Sequence, residues 1–331
     1  MTMKRKHVLR VGQTLTAGLT VLGTIDGGAA DPVYIVWNHT AWCPMACKFF
    51  SSAERAKHEA GVLETLAHPN IVRSLGLLPP CCLLMPFLSG PTLATLIDTS
   101  PKRFSADNAI RIALHIGSAL LYLHDQGLLH MDVKPDNIIV TPGGHPVLFD
   151  LGTARRREAN RPVRCIGTNL YIAPEECELR EVGTAADVFS FGVTIYEMLT
   201  GELPFGLGTK SKPFPQLKGH PAPFSDHRKG LCPQFENLVF ACLERNPGFR
   251  PELRDILVQL NGMIRSGARM WPAGFNPGRH LRQAKTSVKR SHRPQEDTEV
   301  EPAVFLVLAP EQVLSGSLAI TEPVPEIWTG C

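Results

Sequence analysis

The sequence has no long hydrophobic run and no strong excess of charge of either sign. The longest apolar candidate, residues 303–309, is far shorter than the roughly 20 residues that a membrane-spanning helix needs. The formal net charge is +3 over 331 residues, and 44% of the residues are hydrophobic. These absences predict a folded chain with no membrane span, and they give no global reason to expect nucleic acid as a partner.

The cysteines lack the spacings of a metal site. Nine are present, but they form neither CxxC pairs nor clusters with histidine at metal-ligand spacing. The favoured interpretation is a reduced, cytoplasmic protein, because buried cysteines commonly act as small apolar side chains. A redox pair at Cys81 and Cys82 is the alternative. The basic start of the chain is not followed by the continuous apolar core of a secretory signal.

The first part of the chain is rich in strand signals. Alternating runs at 32–37 and 45–50 predict a small antiparallel sheet. One helix interrupts this sheet, for which Ser51 and Glu54 predict a capping box ahead of an apolar stripe at helical spacing.

The later part of the chain is helical and ends in a polar tail. Segments 106–126 and 184–199 predict long amphipathic helices. After Ile264 the periodicity is lost, and a basic run over 279–293 precedes an acidic one. We interpret this as a mobile tail. Binding of the basic run to an anionic surface is an alternative, and so is docking of residues 304–308 on the rest of the chain.

Two short segments carry most of the chemistry. Residues 130–137 read His-Met-Asp-Val-Lys-Pro-Asp-Asn, and residues 150–152 read Asp-Leu-Gly. They supply a candidate base, a lysine and two further oxygen ligands, which phosphoryl transfer from a nucleotide to a hydroxyl requires. The set and its order resemble a eukaryotic-type (Hanks-type) serine/threonine protein kinase of the bacterial branch, over about residues 20–263.

The resemblance implies an α+β, bilobal fold. A small β-rich N-lobe would hold one helix, and a larger C-lobe would be α-helical. The expected divisions are an N-terminal extension at 1–22, a kinase domain at 23–264 with lobes 23–88 and 89–264, and a C-terminal tail at 265–331.

The same resemblance implies the catalytic residues. Asp132 would accept or orient the hydroxyl proton, and Lys134 would steady the γ-phosphate. Thr168 would bridge these two side chains. Asn137 and Asp150 would bind the metal, with Mg²⁺ expected and Mn²⁺ as the alternative, because Mg²⁺ keeps several waters and takes few protein ligands.

A second set is implied for ATP. Lys48 would contact the α and β phosphates, and Glu59 would be its helix partner, with Glu54 and Glu64 as alternatives. Met85 would be the gatekeeper beside the adenine. The complete set is Gly27, Gly28, Val33, Ala46, Lys48, Glu59, Met85, the backbone of Pro86 and Leu88, and Asp150.

The phosphate-covering loop departs from the family pattern. Asp26, Gly28 and Asp31 occupy its three glycine positions, with Gly27 adjacent. Glycine there lets backbone N–H groups approach the phosphates closely. Asp31 is therefore expected to weaken or reshape nucleotide binding.

Residues 167–175 resemble the loop that seats the acceptor peptide. Within the same pattern, Glu175 would pair with Arg250, and Asp187 would brace the backbone of the catalytic loop. A threonine at 168 favours serine or threonine as the acceptor.

The activation loop departs from the usual switch. Met131 replaces the arginine that many relatives use to hold a phosphorylated loop, and residues 154–166 contain five arginines but no Ser, Thr or Tyr. Both features predict activity without phosphorylation of this loop. Its charge favours an acidic partner or acidic acceptor residues, with a solvated arginine run as the alternative.

The expected function is ATP-dependent phosphorylation of protein Ser or Thr. Acceptors in this chain itself would be Thr286, Ser287, Ser291 and Thr298. The degenerate glycine loop motivates a pseudokinase or scaffold as the alternative. A small-molecule kinase is a third class, which the Ala-Pro-Glu sequence at 173–175 disfavours.

Overall fold

The computed structural model describes residues 9–16, 18–25, 31–79, 81–99, 104–157, 170–209, 211 and 213–264. Within these ranges, a sheet with one helix is followed by a mostly helical part. The α+β bilobal prediction is confirmed by this arrangement. In the described ranges, no helix is both long and apolar enough to cross a membrane.

The N-lobe is built on a six-stranded antiparallel sheet. Both runs that the sequence analysis assigned to strands lie in it, as β3 and β4. The strand order is β1-β2-β3-β4-β6-β5. The strands are β1 (Thr14–Thr16), β2 (Leu19–Ile25), β3 (Val33–Asn38), β4 (Cys43–Phe49), β5 (Gly76–Leu78) and β6 (Cys82–Pro86).

Both faces of this sheet are buried. Ala46 and Leu83 face the main hydrophobic core. Because successive side chains of a strand point to opposite faces, Cys47 and Leu84 lie on the other face, where they are also buried. Buried Leu9 contacts this second face through its N–H, which donates to the Tyr34 hydroxyl at 3.2 Å.

A disulfide joins Cys47 on β4 to Cys82 on β6. This differs from the expectation of reduced thiols and from the alternative pair at Cys81 and Cys82. The strand register explains the pairing, because Cys47 lies opposite Leu84 and Phe49 lies opposite Cys82. The two bonded cysteines are therefore diagonal neighbours on one face of the sheet.

The predicted helix of the N-lobe is α1 (Ala53–Glu64), but its predicted capping box is wrong. The N-cap residue is Ser52, whose side chain makes no capping hydrogen bond. Ser51 instead donates both its N–H and its hydroxyl to Oδ1 of Asp31, at 3.1 and 3.3 Å. The N-cap position therefore falls on Ser52 and not on Ser51.

The C-lobe contains the two long helices that the sequence predicts. Ser105 caps α3 by accepting from the N–H of Asn108 at 3.1 Å, and Gly201 ends α5 in the left-handed conformation, with φ +71°. The helices are α2 (Leu93–Thr99), α3 (Ala106–Asp125), α4 (Pro174–Cys177), α5 (Thr184–Thr200), α6 (Pro233–Cys242) and α7 (Leu253–Gly262).

Four short strands of the C-lobe form two antiparallel pairs. The strands are β7 (Leu128–Leu129), β8 (Ile138–Val140), β9 (Pro146–Leu148) and β10 (Arg155–Arg156); β7 pairs with β10, and β8 pairs with β9. The segment that joins the lobes packs on β8 at Gly90. A Cβ at Gly90 would lie 2.2 Å from the Val140 carbonyl oxygen, and its φ is +141°. Only glycine fits there.

Candidate active site

Asp132 lies at the centre of a compact polar cluster that follows β7. Its Oδ2 accepts from Nζ of Lys134 at 2.8 Å and from Nδ2 of Asn137 at 3.0 Å. Asn137 Nδ2 also donates to the backbone carbonyl of Asp132 at 2.8 Å. One 3-10 turn, Pro135–Asn137, folds the chain back so that all three side chains meet.

A buried carboxylate holds the backbone ahead of Asp132. Asp187 of α5 accepts from the N–H groups of His130 and Met131, each at 2.9 Å, and from Nε2 of His124 at 2.8 Å. Met131 has φ +70°, which is rare for a residue with a side chain. Burial alone would raise the pKa of Asp187, but the hydrogen bond and charge of His124 bring it below its ordinary value.

Asn137 and Asp150 are brought together by the backbone. The N–H of Phe149 donates to the Asn137 carbonyl at 2.9 Å, which places Asp150 one residue beyond this contact. Asp150 has φ +62°. Such a backbone conformation is uncommon and concentrates at functional sites.

The donor set fits a hard divalent cation. No hydrogen bond within the described ranges uses Oδ1 of Asn137 or Oδ2 of Asp150. Mg²⁺ is commonly held by one or two protein oxygens together with phosphate oxygens and water. Among the described residues there is no group of three His, Cys, Asp or Glu that could hold a metal without such outside ligands.

Lys48 links both lobes at this site. Its Nζ lies 2.7 Å from Oε2 of Glu59 and 2.9 Å from Oδ1 of Asp150. The predicted partner Glu59 is therefore present, while the alternatives Glu54 and Glu64 are exposed. Oε1 of Glu59 is buried with no hydrogen-bond partner.

The charges of this contact shift two pKa values. Burial opposes the charged form of Lys48, but Asp150 and Glu59 raise its pKa above the ordinary value. Burial likewise opposes ionisation of Asp150, yet Lys48 brings its pKa below the ordinary value. Lys48 is thus a cation and Asp150 an anion at neutral pH.

Three further residues of the expected ATP set, Val33, Ala46 and Met85, lie on the face of the sheet that carries Lys48. Val33 pairs with Lys48 across β3 and β4, and Ala46 pairs with Met85 across β4 and β6. Four residues of the ATP set belong to or pack on the main hydrophobic core: Val33, Ala46, Met85 and Leu88. Pro86 ends β6, directly before the segment that joins the lobes.

Three expected site residues lie outside the described ranges: Gly27, Gly28 and Thr168. Asp31, at the third glycine position, is described. It is buried, and its Oδ2 lies 2.7 Å from Nη2 of Arg55 on α1.

Glu175, the last residue of the acceptor-seating segment, forms the expected ion pair with Arg250. Arg250 donates from Nη1 and Nη2 to the two carboxylate oxygens of Glu175, at 2.6 and 2.8 Å, and both side chains are buried. Nearby, the hydroxyl of Tyr171 donates to Glu197.

Two contacts of this site were not predicted from the sequence. His124 supports Asp187, and Asp31 binds the first turn of α1. His124 lies in the last turn of α3, outside any motif, so only a three-dimensional arrangement reveals its role. Asp31 was visible as a departure from the glycine pattern, but its partner Arg55 was not.

A family model described as "protein kinase domain" matches residues 19–260. The chain belongs to the protein kinase family. Its kinase domain is similar to serine/threonine-protein kinase PkaA of Streptomyces coelicolor, with 32% identity over 213 residues, 61% of this chain and 38% of that protein. Serine/threonine-protein kinase PknB of Mycobacterium leprae is 30% identical over 225 residues, 62% of this chain and 36% of that protein.

A probable serine/threonine-protein kinase of Dictyostelium discoideum is also similar to this kinase domain. It is 31% identical over 210 residues, 61% of this chain and 34% of that protein. The kinase domain thus corresponds to little more than a third of each of these relatives. As a member of this family, the chain is expected to use ATP and a divalent metal.

Proposed function

We propose that this chain transfers the γ-phosphate of ATP to serine or threonine hydroxyls of proteins. The observation that carries the proposal is the meeting of Asp132, Lys134 and Asn137, close to the contact of Lys48 with Glu59 and Asp150. Phosphoryl transfer needs little covalent chemistry from a protein. The protein has to position the reactants and neutralise the charge on the phosphate groups.

Asp132 is the proposed base. The acceptor hydroxyl gives its proton to a carboxylate oxygen of Asp132 while its oxygen bonds to the γ-phosphorus. The bond from that phosphorus to the β-phosphate oxygen breaks, and ADP leaves. The contacts of Lys134 and Asn137 with Oδ2 of Asp132 keep this carboxylate in one orientation.

Lysines and metal-binding oxygens are proposed to bind the triphosphate. Lys48 binds the α and β phosphates and is oriented by Glu59. Asn137 Oδ1 and Asp150 Oδ2 would hold a divalent cation, with Mg²⁺ proposed and Mn²⁺ as the alternative. When bound, the cation supplies positive charge that neutralises the phosphate oxygens. Lys134 steadies the γ-phosphate.

Two features support Ser and Thr as the acceptors. Lys134 is typical of serine/threonine-type enzymes, and Thr168 is expected to bridge it to Asp132. The names of the relatives from Streptomyces and Mycobacterium agree with this class. Tail residues Thr286, Ser287, Ser291 and Thr298 are proposed autophosphorylation sites. A cytoplasmic location is proposed with this activity because ATP is its phosphate donor.

We also propose that the kinase needs no phosphate on its activation loop. Met131, at the usual arginine position, is buried. Residues 154–166 contain no hydroxyl that could accept phosphate. The Nε of Arg155 is buried and has no hydrogen-bond partner within the described ranges. A guanidinium with a buried nitrogen that makes no hydrogen bond supports the idea that this loop receives an acidic partner or acidic acceptor residues.

Phosphate incorporation from radiolabelled ATP tests the main proposal. The wild type is expected to label itself or a generic basic or acidic protein substrate, whereas Asp132→Asn should lose this activity. Asp136→Asn, at the exposed acid of the same loop, is the matched comparison. Equal labelling by wild type and Asp132→Asn would contradict the proposal.

Peptide mapping of the active protein tests the proposal that the activation loop needs no phosphate. Residues 153–168 are expected to carry no phosphate in fully active enzyme. If removal of a phosphate from this range abolished activity, the clause would be wrong.

The pseudokinase alternative draws on the degenerate glycine loop. It predicts that ATP with Mg²⁺ leaves the thermal midpoint of unfolding unchanged. The proposed kinase should instead be stabilised by ATP, because a ligand that binds only the folded state raises the free energy of unfolding. Lys48→Met should reduce that shift.

A further inference from the structure

Asp31 is an acid at a position where relatives of this type have glycine, and it is buried. It lies two residues before β3, which starts at Val33. Its Oδ1 accepts from the N–H and the hydroxyl of Ser51, and its Oδ2 pairs with Arg55 at 2.7 Å. Both carboxylate oxygens are therefore engaged by residues at the start of α1.

These contacts are made at the start of α1, where the usual side-chain cap is absent. Ser52, at the N-cap position, makes no capping bond. A carboxylate near the N-terminus of a helix is favourable because the backbone N–H groups there carry positive partial charge. Arg55 also donates to the Ser51 hydroxyl at 3.4 Å, so Asp31, Ser51 and Arg55 form a closed set.

The same helix presents Glu59, one turn after Arg55, to Lys48. Glu59 lies close enough to Asp150 and Asp31 for their negative charges to disfavour its ionised form. A second contact is made by His58, the residue before Glu59. Its Nε2 donates to the Ala154 carbonyl oxygen at 2.8 Å. The first turn of α1 is therefore attached by Asp31, and its second turn by Lys48 and Ala154.

We propose that Asp31 is a positioning residue that fastens the first turn of α1 to the start of β3 and so keeps Glu59 within reach of Lys48. This proposal rests on the proposed function, in which the Lys48–Glu59 contact orients the phosphates. It reverses the expectation from the glycine pattern. Restoring glycine at position 31 removes both attachments and lowers activity instead of improving it.

The variants that test this are Asp31→Gly, Asp31→Asn, Arg55→Gln and the double variant Asp31→Asn with Arg55→Gln. Asp31→Asn keeps an oxygen that can accept from Ser51 and loses only the charge. Lys57→Gln, at an exposed lysine of the same helix, is the matched control. Measurements are kcat and KM for ATP, together with hydrogen exchange of backbone amides 53–60.

Asp31→Gly should lower kcat about 10-fold, as expected for loss of a buried charge-assisted contact, and should speed exchange in α1. Asp31→Asn and Arg55→Gln should each give a smaller loss of kcat. Their double variant should be no worse than the more affected single one, because both remove the same ion pair. Lys57→Gln should behave as wild type.

Several results would overturn the inference. One is a gain of activity in Asp31→Gly, and another is unchanged exchange in α1. Additive losses in the double variant would show that the two side chains act separately. A lower thermal midpoint with unchanged kcat would make the contact structural only. If the wild type transferred no phosphate, hydrogen exchange would still test the Asp31 attachment, and only the proposed function would fail.

Discussion

At the scale of single residues, Asp187 fixes the backbone that carries Asp132. It accepts three hydrogen bonds from groups that burial separates from water. The N–H of Met131 can reach it because that residue adopts a positive φ. A strained backbone of this kind persists only where surrounding contacts determine it.

Asp187→Asn should therefore lower both stability and kcat. The amide offers one acceptor oxygen, and its NH₂ group would face the donors on His130 or His124. Loss of such buried, charge-assisted bonds costs about 3 kcal/mol. Urea unfolding should measure this loss, and Asp255→Asn, at an exposed acid of α7, should change stability by less than about 0.5 kcal/mol. Equal effects of the two variants would contradict the assigned role.

The sequence alone could indicate those residues that take part in the same reaction. Lys48, Asp132, Asn137 and Asp150 could be expected near one another because phosphoryl transfer needs all of them around one ligand. The contact of Asp31 with Arg55 could not be foreseen. The contact depends on the direction of the Asp31 side chain in the folded protein. Neither hydrophobic periodicity nor motif spacing contains that information.

At the scale of elements, helices α5 and α6 pack closely at Gly192. A Cβ added at Gly192 of α5 would lie 2.7 Å from the Cβ of Cys242. The neighbouring atom is close to the backbone and has little freedom to move. Glycine thus allows these two helices to approach.

Gly192→Ala should destabilise the protein by about 1–3 kcal/mol through overpacking. The same substitution in α1, Gly61→Ala, meets no atom within 4 Å. It should raise stability by about 0.5–1 kcal/mol because alanine is the better helix former. Denaturant midpoints of both variants measure these changes. If both moved in the same direction, close packing would not be the cause.

The disulfide between Cys47 and Cys82 is a second feature at this scale. It closes a segment with a sequence separation of 35 residues, which contains Lys48 and all of α1. By restricting the unfolded chain, such a link stabilises by about 3–4 kcal/mol. Urea midpoints should be lower in the presence of a dithiol reductant.

Two cysteine variants separate the disulfide from other thiols. Cys82→Ser should abolish the effect of the reductant, while Cys43→Ser, on the same strand as Cys47, should retain it. If reductant left the wild-type midpoint unchanged, the disulfide would not contribute to stability.

Sequence patterns predicted elements better than their connections. Helix α3 follows its apolar periodicity closely, because one of its faces must be buried. Helix α5 forms where the sequence predicts it, but it is buried on nearly all sides and is not amphipathic. The link between Cys47 and Cys82 depends instead on the register of β4 with β6. Strand register is a tertiary property, and alternation within a strand does not contain it.

At the scale of the whole molecule, buried acids make stability depend on pH. Glu176 is buried, its Oε1 accepts from the Ala173 N–H at 3.4 Å, and its Oε2 has no hydrogen-bond partner. Burial, with Asp187 nearby, raises the pKa of Glu176 to about 8. Burial also raises the pKa of Glu197 to about 7.

Glu176→Gln should remove part of this pH dependence. An unfolded glutamate has a pKa of about 4.3, so between that pH and about 8 folded Glu176 keeps a proton that the unfolded chain has lost. The free energy of unfolding therefore falls as pH rises, by about 1.4 kcal/mol per pH unit for one proton. Glutamine stays neutral in both states and can still accept from Ala173.

Urea unfolding from pH 5 to 9 should show the Glu176→Gln variant gaining stability over wild type up to about pH 8. The control Glu181→Gln, at an exposed acid, should follow wild type throughout. A constant difference between Glu176→Gln and wild type across this range would mean that Glu176 is ionised in the folded protein.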